Sequence, residues 1–397
     1  MTSDPHPVKG EFDGIICFGG EDYWYHNRGH FDMQVMREMS RHLPVLYVNS
    51  IGMRVPRPSE GRMFLTRVRR KLRSIRRGVV PIRENFSVMS PIAAPSSLGR
   101  MMTGAFMPRQ VRRAAASMGI TSPLIWIACP PAAKFIDRIE HAGLVYQRTD
   151  RFEEFPNVDP VEIGRCDRIL KERADLVVFC SRILHQQEGG SCSASVFADH
   201  GVDFAAFEMA GTGNSQPSDM QHIARPRAGF IGGIDSHTFD ASFFSRVVQL
   251  LPDVQFVLVG ACSLPEGWCD GPNVHMLGQR PYEAVPDYMA ACDVLLMPWN
   301  QNEWIKACNP VKFKEYLAVG RPVVSTPFPE LDHWPGSVSV AGDPGAFAEA
   351  ISRSLEVPGD ESARRRMVRE HGWDRKTASI IDALEASGVL MRSTGRD

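Results

Sequence analysis

The sequence predicts an α/β protein made of two doubly wound domains, each built on a parallel sheet. Short apolar runs typical of buried strands alternate with helical stretches in both halves of the chain. Between the halves, Gly211 to Arg227 is rich in small and polar residues, as is typical of a linker. The length of 397 residues also fits two domains.

These patterns divide the chain into four parts. We expect an N-terminal domain over residues 1–210, a linker over 211–227, a C-terminal domain over 228–375 and a final helical segment over 376–397. The sequence contains no repeat with a period of 20–50 residues, so a solenoid is excluded.

Composition and charge exclude several classes of protein. A formal net charge of −1 argues against a general nucleic-acid binder. Nine cysteines without a CxxC pair indicate neither a zinc site nor a disulfide framework. No apolar run approaches the ~20 residues of a membrane span, and the first residues lack a signal-peptide core. We therefore expect a cytoplasmic protein with mostly buried thiols.

The first glycine pair follows a strand predicted at Gly14 to Phe18. Ligands of open α/β sheets lie at the carboxyl ends of strands, and Gly19-Gly20-Glu21-Asp22 occupies that position. An aromatic and polar loop follows. Its polar residues suit a sugar acceptor or its phosphate, although an ordinary surface loop has the same composition. The candidate acceptor-binding residues are Gly20, Asp22, His26, Arg28 and His30.

The most basic stretch runs from Arg54 to Arg77 and contains ten Lys or Arg and one acidic residue. Its apolar residues recur at helical spacing, which predicts a basic amphipathic helix on the inner leaflet of a membrane. The alternative is a solvated helix that packs on the domain through a narrow stripe. A second stretch, Leu98 to Met118, either extends this surface or belongs to the core.

The strand predicted at Gly143 to Gln147 leads into a loop with several carboxylates. Asp150 is the candidate general base, because a carboxylate at the carboxyl end of a strand can accept a proton from an acceptor hydroxyl. The alternative role for Asp150 is the N-cap of the next turn. Glu153 and Glu154 are expected to be solvated or to support this site from behind.

The second half opens with a strand at Ala228 to Ile231 and a second glycine pair, Gly232-Gly233. Glycines at such a turn let backbone N–H groups approach a diphosphate. Trp299 follows the strand predicted at Asp293 to Pro298, where it either stacks on a base or sugar or is a core tryptophan.

The stretch from Asn300 to Thr326 organises the rest of the chain. Asn309-Pro310 predicts a helix start with Pro310 as the first helical residue, the helix continues from Val311, and Gly320 ends it. Lys312 and Glu315, three residues apart, share a face of this helix. A helix N-terminus and a lysine suit phosphate, and a carboxylate can accept both ribose hydroxyls. The alternative is an ordinary turn with a surface ion pair.

The run NPVKFKEYLAVGRPVVST resembles the nucleotide-sugar signature of GT-B glycosyltransferases of the family 4 type. Those enzymes carry Glu-x7-Glu followed by a small-Gly-x-Pro-Val-Val strand. Glu315 matches the second glutamate, whereas Ala307 stands at the position of the first. The region is more similar to a branch with the xanthan-type glucuronosyltransferase and teichuronic-acid-type enzymes. The resemblance covers most of the chain and is strongest from 228 to 334.

The resemblance implies roles for individual residues. Glu315 would hold the ribose, and the turn containing Gln279 and Arg280 would contact the base. The Arg and Lys that accompany the second glycine pair in the family are missing here, so Lys312 or Lys306 would neutralise the diphosphate. The run LVYQRTD resembles the family segment that carries the base aspartate, which corresponds to Asp150.

The implied architecture is GT-B, two Rossmann-like domains facing across a cleft, with the last helix crossing back to the first domain. The implied reaction transfers sugar from a nucleotide sugar of the UDP class to a hydroxyl of a glycan or lipid-linked acceptor, without metal or cofactor. Asp150 would deprotonate the acceptor while Lys312 stabilises the leaving diphosphate. Stereochemistry stays open. Two alternatives stay open as well: a nucleotide-sugar epimerase and a non-catalytic nucleotide-binding partner.

Overall fold

The computed structural model describes residues 10–25, 29–53, 69, 73–91 and 97–392. The chain forms two compact units. Unit 1 comprises Met1–Asp199 and Asp374–Asp397, and unit 2 comprises His200–Trp373. Most of the basic stretch Arg54–Arg77 lies outside the described residues, as do the candidates His26 and Arg28.

Unit 1 is built on an eight-stranded sheet with the order β4-β5-β3-β2-β6-β7-β8-β9. All neighbouring strands are parallel except β4 and β5, an antiparallel pair at one edge that turns at Asn85 with φ of 58°. We did not predict this pair or β9. The strands of unit 1 are β1 (Glu11–Phe12), β2 (Gly14–Phe18), β3 (Val45–Val48), β4 (Val79–Arg83), β5 (Phe86–Met89), β6 (Pro123–Ile127), β7 (Gly143–Arg148), β8 (Leu176–Phe179), β9 (Ser195–Phe197) and β16 (Leu390–Met391).

The central strands of unit 1 are buried along their whole length, as their continuous apolar runs predict. Burying one such Val, Leu, Ile or Phe side chain stabilises the fold by about 1.5–3 kcal/mol. The helices of unit 1 are α1 (Phe31–Met39), α2 (Ser97–Ser117), α3 (Pro160–Arg173), α4 (Arg182–Glu188) and α12 (Trp373–Ala386), whose first residue belongs to unit 2. A nine-residue 3-10 segment, Pro130–Arg138, follows β6.

Unit 2 contains a six-stranded parallel sheet with the order β12-β11-β10-β13-β14-β15. The order reverses between β10 and β13, which makes the carboxyl ends of these two strands the expected ligand position. The strands are β10 (Arg227–Ile231), β11 (Gln255–Val259), β12 (Val274–Met276), β13 (Val294–Met297), β14 (Val323–Ser325) and β15 (Ser339–Val340).

The helices of unit 2 bury aromatic and aliphatic side chains against this sheet. A 3-10 turn, Tyr282–Ala284, precedes the short α-helix Val285–Ala290. The helices are α5 (Phe204–Thr212), α6 (Ala241–Leu250), α7 (Val285–Ala290), α8 (Glu303–Lys306), α9 (Val311–Val319), α10 (Pro344–Glu356) and α11 (Glu361–Val368).

The division into units differs from the predicted domain boundaries at 210 and 227. Helix α5 packs against α7 and α9, so residues 200–212 belong to unit 2 rather than to the N-terminal domain. The predicted linker is also part of unit 2, because Met220 and Ile223 are buried in its core. A polar composition predicted a linker here, but two apolar residues anchor the segment. After Trp373 the chain returns to unit 1, where β16 pairs with β1.

None of the helices described here is both long and apolar enough to cross a membrane.

Candidate functional site

In unit 2 the candidate site begins where β10 and β13 end. The Gly232 N–H donates to the Val259 carbonyl at 2.8 Å and Gly232 has φ of 154°, a conformation that favours glycine. A Cβ on Gly260 would collide with the backbone of Gly232, so the two turns need glycine at both positions. Gly233 is exposed beside this turn. The glycine pair therefore leaves exposed backbone at the edge where ligands bind in such sheets.

Helix α9 supplies the second part of the site. The sequence signals at both ends are largely confirmed: Gly320 ends the helix in the left-handed conformation with φ of 91°. The start differs by one residue, because Pro310 is the N-cap and Val311 is the first helical residue. Phe313 and Leu317 are buried, while Val311 is half-buried. The N-terminal N–H groups of such a helix lack intrahelical acceptors and favour an anion.

Lys312 lies against the glycine turn. Its Nζ is 4.4 Å from the centre of the Phe230 ring and 5.6 Å from that of Trp299. A Cβ on Gly232 would overlap this ammonium group, so the side chain fills the space that the glycine leaves. Burial lowers the pKa of Lys312 to about 8, and Asp235, Cys308 and Glu315 partly oppose that effect. A bound anion would favour the protonated form of Lys312, so this position suits an anionic ligand.

Glu315 lies one turn further along α9 and is only 5% exposed. The Tyr282 hydroxyl donates to its Oε1 at 2.8 Å. Burial raises the pKa of Glu315 to about 7, against the opposing effects of Tyr282 and Lys312. One carboxylate oxygen thus has a fixed partner, and the other retains the capacity to accept from a ligand hydroxyl.

Two buried hydrogen-bond donors in the same segment have no acceptor among the described residues. They are the Trp299 indole Nε1 and the Asn309 amide Nδ2, and each residue is 4% exposed. Buried donors are normally satisfied, so both suggest a polar ligand. The stacking hypothesis for Trp299 needs correction, because its ring is buried beside Phe328 at 5.3 Å between ring centres. The indole N–H is then the group that Trp299 offers.

The two predicted base-contacting residues have different environments. Gln279 is exposed at the turn after β12. The Arg280 guanidinium donates to Asp219 at 2.6 Å and to the Tyr288 hydroxyl at 2.8 Å. Arg280 is therefore held by partners within unit 2. These contacts stabilise the turn, a structural role that the sequence did not indicate.

In unit 1 the first glycine pair lies directly after the carboxyl end of the central strand β2. The Gly20 N–H donates to Asp32 Oδ2 at 2.9 Å, and the Tyr47 hydroxyl donates to the same oxygen at 2.7 Å. Asp22 accepts from the Trp24 N–H at 3.0 Å. The carboxylate of Asp32, buried in the first turn of α1, was missed by the sequence reasoning because its partners are distant in the chain.

His30 is exposed at the start of α1 and makes no side-chain cap there. In the loop before it, Asp22 accepts from the Ser74 hydroxyl at 3.2 Å, and the Arg77 guanidinium lies 4.4 Å from the centre of the Trp24 ring. Three of the candidates lie between β2 and α1: Gly20, Asp22 and His30. The other two, His26 and Arg28, lie outside the described residues.

Asp150 follows β7 and is half-buried. Burial raises its pKa to about 7, and the charge of Arg148 partly opposes this. The N-cap alternative is wrong, because Arg151 occupies the N-cap of the Phe152–Glu154 turn. Burial raises the pKa of the Cys180 thiol, directly after β8, well above its ordinary value, and the charges of Asp150, Asp199 and Asp32 add to this effect. The negative charges of three carboxylates from separate segments therefore all disfavour the thiolate form of Cys180.

Sequence reasoning missed Tyr282 for a physical reason. Its hydroxyl donates to Glu315, 33 positions away in the chain, and its ring lies 6.3 Å from that of Phe207 on α5. Among the described residues, no group of three or more His, Cys, Asp or Glu side chains is arranged to hold a metal ion.

Two α/β units with parallel sheets define the GT-B class of glycosyltransferase folds, and the chain has this fold. Residues 225–356 match the family described as Glycosyl transferases group 1. The matched residues include the glycine turn, Lys312 and Glu315.

Solved structures are similar over nearly the whole chain. Sucrose-phosphate synthase from Thermosynechococcus elongatus is 14% identical with a TM-score of 0.68, covering 94% of this chain and 98% of its own. Anabaena Alr3699/HepE, solved in complex with UDP-glucose, is 14% identical with a TM-score of 0.65, covering 95% and 100%. At this identity the likeness concerns the fold.

A sequence relative is known from Bacillus subtilis (strain 168). It is named as the teichuronic acid biosynthesis glycosyltransferase TuaH and is 29% identical over 218 residues. The match covers 51% of this chain and 55% of that relative, so it spans about half the length of each protein.

Proposed function

We propose that this protein transfers a sugar from a UDP-sugar to a hydroxyl of a glycan or lipid-linked acceptor. The observation that carries the proposal is the arrangement on α9: Lys312 lies on the Gly232 turn, and Glu315 lies one helical turn away with Tyr282. The family match over residues 225–356 and the UDP-glucose bound by Anabaena HepE support the donor class.

In this proposal the N–H groups at the start of α9 and the Lys312 ammonium bind the diphosphate. The Trp299 indole and the Asn309 amide supply two further donors near that helix start. Glu315 accepts from the ribose hydroxyls, with Tyr282 fixing its other oxygen. As the leaving diphosphate gains negative charge, Lys312 and the helix N-terminus stabilise it.

Asp150 in unit 1 is proposed as the general base. A base is most effective with a pKa near the working pH, and burial brings the pKa of Asp150 to about 7. Deprotonation of an acceptor hydroxyl in the transition state increases its nucleophilicity toward the sugar carbon. The acceptor in this proposal is a hydroxyl of a glycan or of a lipid-linked molecule. The teichuronic acid biosynthesis in the name of the Bacillus subtilis relative supports a role in polysaccharide synthesis.

The donor proposal is tested by a thermal-shift panel with UDP, GDP and UDP-glucose. A ligand at 100 times its Kd stabilises a protein by about 2.7 kcal/mol. We expect a shift with the uridine ligands that disappears in Glu315→Ala. The exposed Lys306, paired with Glu303 at 2.6 Å, provides a control: Lys306→Ala should keep the shift. No shift with any nucleotide would contradict the proposal.

For unit 1 we propose an anionic membrane surface as a partner. Phe106 is 50% exposed on α2, and Arg109, Arg112 and Arg113 are exposed beside it. A basic residue near an anionic leaflet contributes up to about 1 kcal/mol. The wild type should sediment with phosphatidylglycerol vesicles more than with phosphatidylcholine vesicles, and replacing the three arginines by Gln should remove the difference. Equal sedimentation with both vesicles would contradict the membrane proposal.

A further inference from the structure

A buried ion-pair network lies beside Asp150 in unit 1. Arg148, the last residue of β7, is 1% exposed. Its Nη1 and Nη2 atoms donate to the two carboxylate oxygens of Glu153, each at 2.9 Å. A bidentate pair of this kind is among the strongest and most directional hydrogen-bonded contacts of side chains.

Other helices hold the same guanidinium from behind. Arg148 Nε lies 3.3 Å from Asp167 on α3 and 3.3 Å from Glu188 on α4. Lys171 bridges those two carboxylates at 2.7 and 2.9 Å. The Tyr146 hydroxyl adds a hydrogen bond to Asp167 at 2.7 Å. The position of Arg148 is therefore fixed by three segments of unit 1.

This network encloses the Asp150 loop. Arg148 and Glu153 flank Asp150 in sequence, so their bidentate contact closes a short loop with Asp150 inside it. The turn Phe152–Glu154 places Glu153, and the ring of the buried Phe152 lies 5.8 Å from the Arg148 guanidinium. On the other side, Gln147 Nε2 donates to Thr149 Oγ1 at 2.8 Å. Both ends of the loop are therefore anchored.

We propose that Arg148 and Glu153 are positioning residues that clamp the loop of Asp150 and present its carboxylate, an inference that rests on the proposed role of Asp150. Among the described residues the Asp150 carboxylate accepts no hydrogen bond of its own. Its orientation therefore depends on the backbone that carries it. The clamp supplies that constraint without occupying the oxygens that an acceptor hydroxyl needs.

The clamp also places one positive charge next to the base. Arg148 favours the ionised form of Asp150, whereas burial favours the neutral form. Among the described residues, Asp150 also interacts electrostatically with the Cys180 thiol, whose pKa burial raises well above its ordinary value. Arg148 is thus the described cation that opposes protonation of Asp150.

The test follows the Asp150 carboxyl directly by ¹³C NMR of protein labelled at the aspartate carboxyl carbon, with Asp150→Asn to assign its signal. In Arg148→Met the titration midpoint should rise by about one pH unit or more, because an adjacent opposite charge is lost. In Glu153→Gln the midpoint should not rise, since Arg148 remains. In Glu153→Gln, amide hydrogen exchange of residues 149–155 should also increase by about tenfold, because one charge-assisted ion pair is lost.

Arg173→Gln is the matched control. Arg173 is an exposed arginine on α3 that pairs with Asp137 at 2.5 Å, away from the clamp. It should change neither the titration nor the exchange. If Arg148→Met and Glu153→Gln behave like this control, the clamp is overturned.

Arg148→Met removes one member of a buried network and can prevent folding. Glu153→Gln then decides alone, because Glu153 is 29% exposed and Arg148 keeps its other partners. The clamp predicts a lower kcat in Glu153→Gln with an unchanged KM for UDP-glucose. An unchanged kcat and unchanged exchange would overturn it. These readouts are separate from the proposed role of Asp150 as general base, which fails if Asp150→Asn keeps full activity.

Discussion

Glu315 in unit 2 and Asp150 in unit 1 are both carboxyl groups whose pKa burial raises to about 7, yet their surroundings differ. Glu315 receives a hydrogen bond from Tyr282 and lies on the same helix face as Lys312. The positive charge of Arg148 acts on Asp150, whereas no described residue donates a hydrogen bond to the Asp150 carboxylate. A carboxylate with a fixed partner suits binding, whereas one with open oxygens suits proton transfer.

The comparison teaches that a similar pKa does not indicate a similar role. Both values have burial as their largest cause, so the pKa alone would assign either residue as the base. The hydrogen-bond partners separate the two. Substitutions at these residues and changes of pH test this separation of roles.

The largest effect is expected for Asp150→Asn. Loss of a general base should lower kcat by about 10²–10⁴-fold. The measurement is UDP release from the nucleotide sugar that the thermal-shift panel selects, with n-octyl glucoside as the hydroxyl-bearing acceptor. KM for the donor should stay close to that of the wild type. A variant that keeps its kcat would remove Asp150 from the chemistry.

A smaller effect is expected for Lys312→Met. A hydrogen bond to a charged group contributes about 1.5–3 kcal/mol, so UDP should bind roughly 10- to 150-fold more weakly. Calorimetric titration measures the change. Lys306→Met is the control, since Lys306 is exposed and paired with Glu303. Equal losses in the two variants would indicate a general charge effect rather than the contact proposed for Lys312.

The smallest effect is expected in the pH dependence of donor binding. Glu315 must be ionised to accept from the ribose, so affinity should fall as the pH drops below about 7. Lys312 must be protonated to meet the diphosphate, so affinity should also fall as the pH rises above about 8. UDP-glucose is the suitable probe, because its diphosphate lacks a terminal phosphate group that titrates near neutrality. A flat profile from pH 6 to 9 would contradict the roles of both residues.

The sequence was sufficient for the parts of the fold that depend on local patterns. Continuous apolar runs predicted the central strands, and the signals at Pro310 and Gly320 predicted α9 to within one residue. The position of Lys312 and Glu315 on one helix follows from their spacing alone. These features depend on residues close together in the chain, which is why pattern reasoning reaches them.

The sequence was not sufficient where distant residues meet. The contact of Tyr282 with Glu315 and that of Arg148 with Asp167 and Glu188 depend on packing between separate elements. The boundary at 199 was missed for the same reason, because α5 joins unit 2 only through its contacts with α7 and α9. The burial that raises the pKa of Asp150 is likewise a property of the folded chain.

The central claim is that Glu315 binds the donor and Asp150 does not. Its most direct test is calorimetric titration of UDP-glucose into the wild type, Asp150→Asn and Glu315→Gln at one pH between about 7 and 8. We predict that Asp150→Asn binds like the wild type and that Glu315→Gln binds about tenfold more weakly or worse. Lost binding in Asp150→Asn together with normal binding in Glu315→Gln would contradict the account.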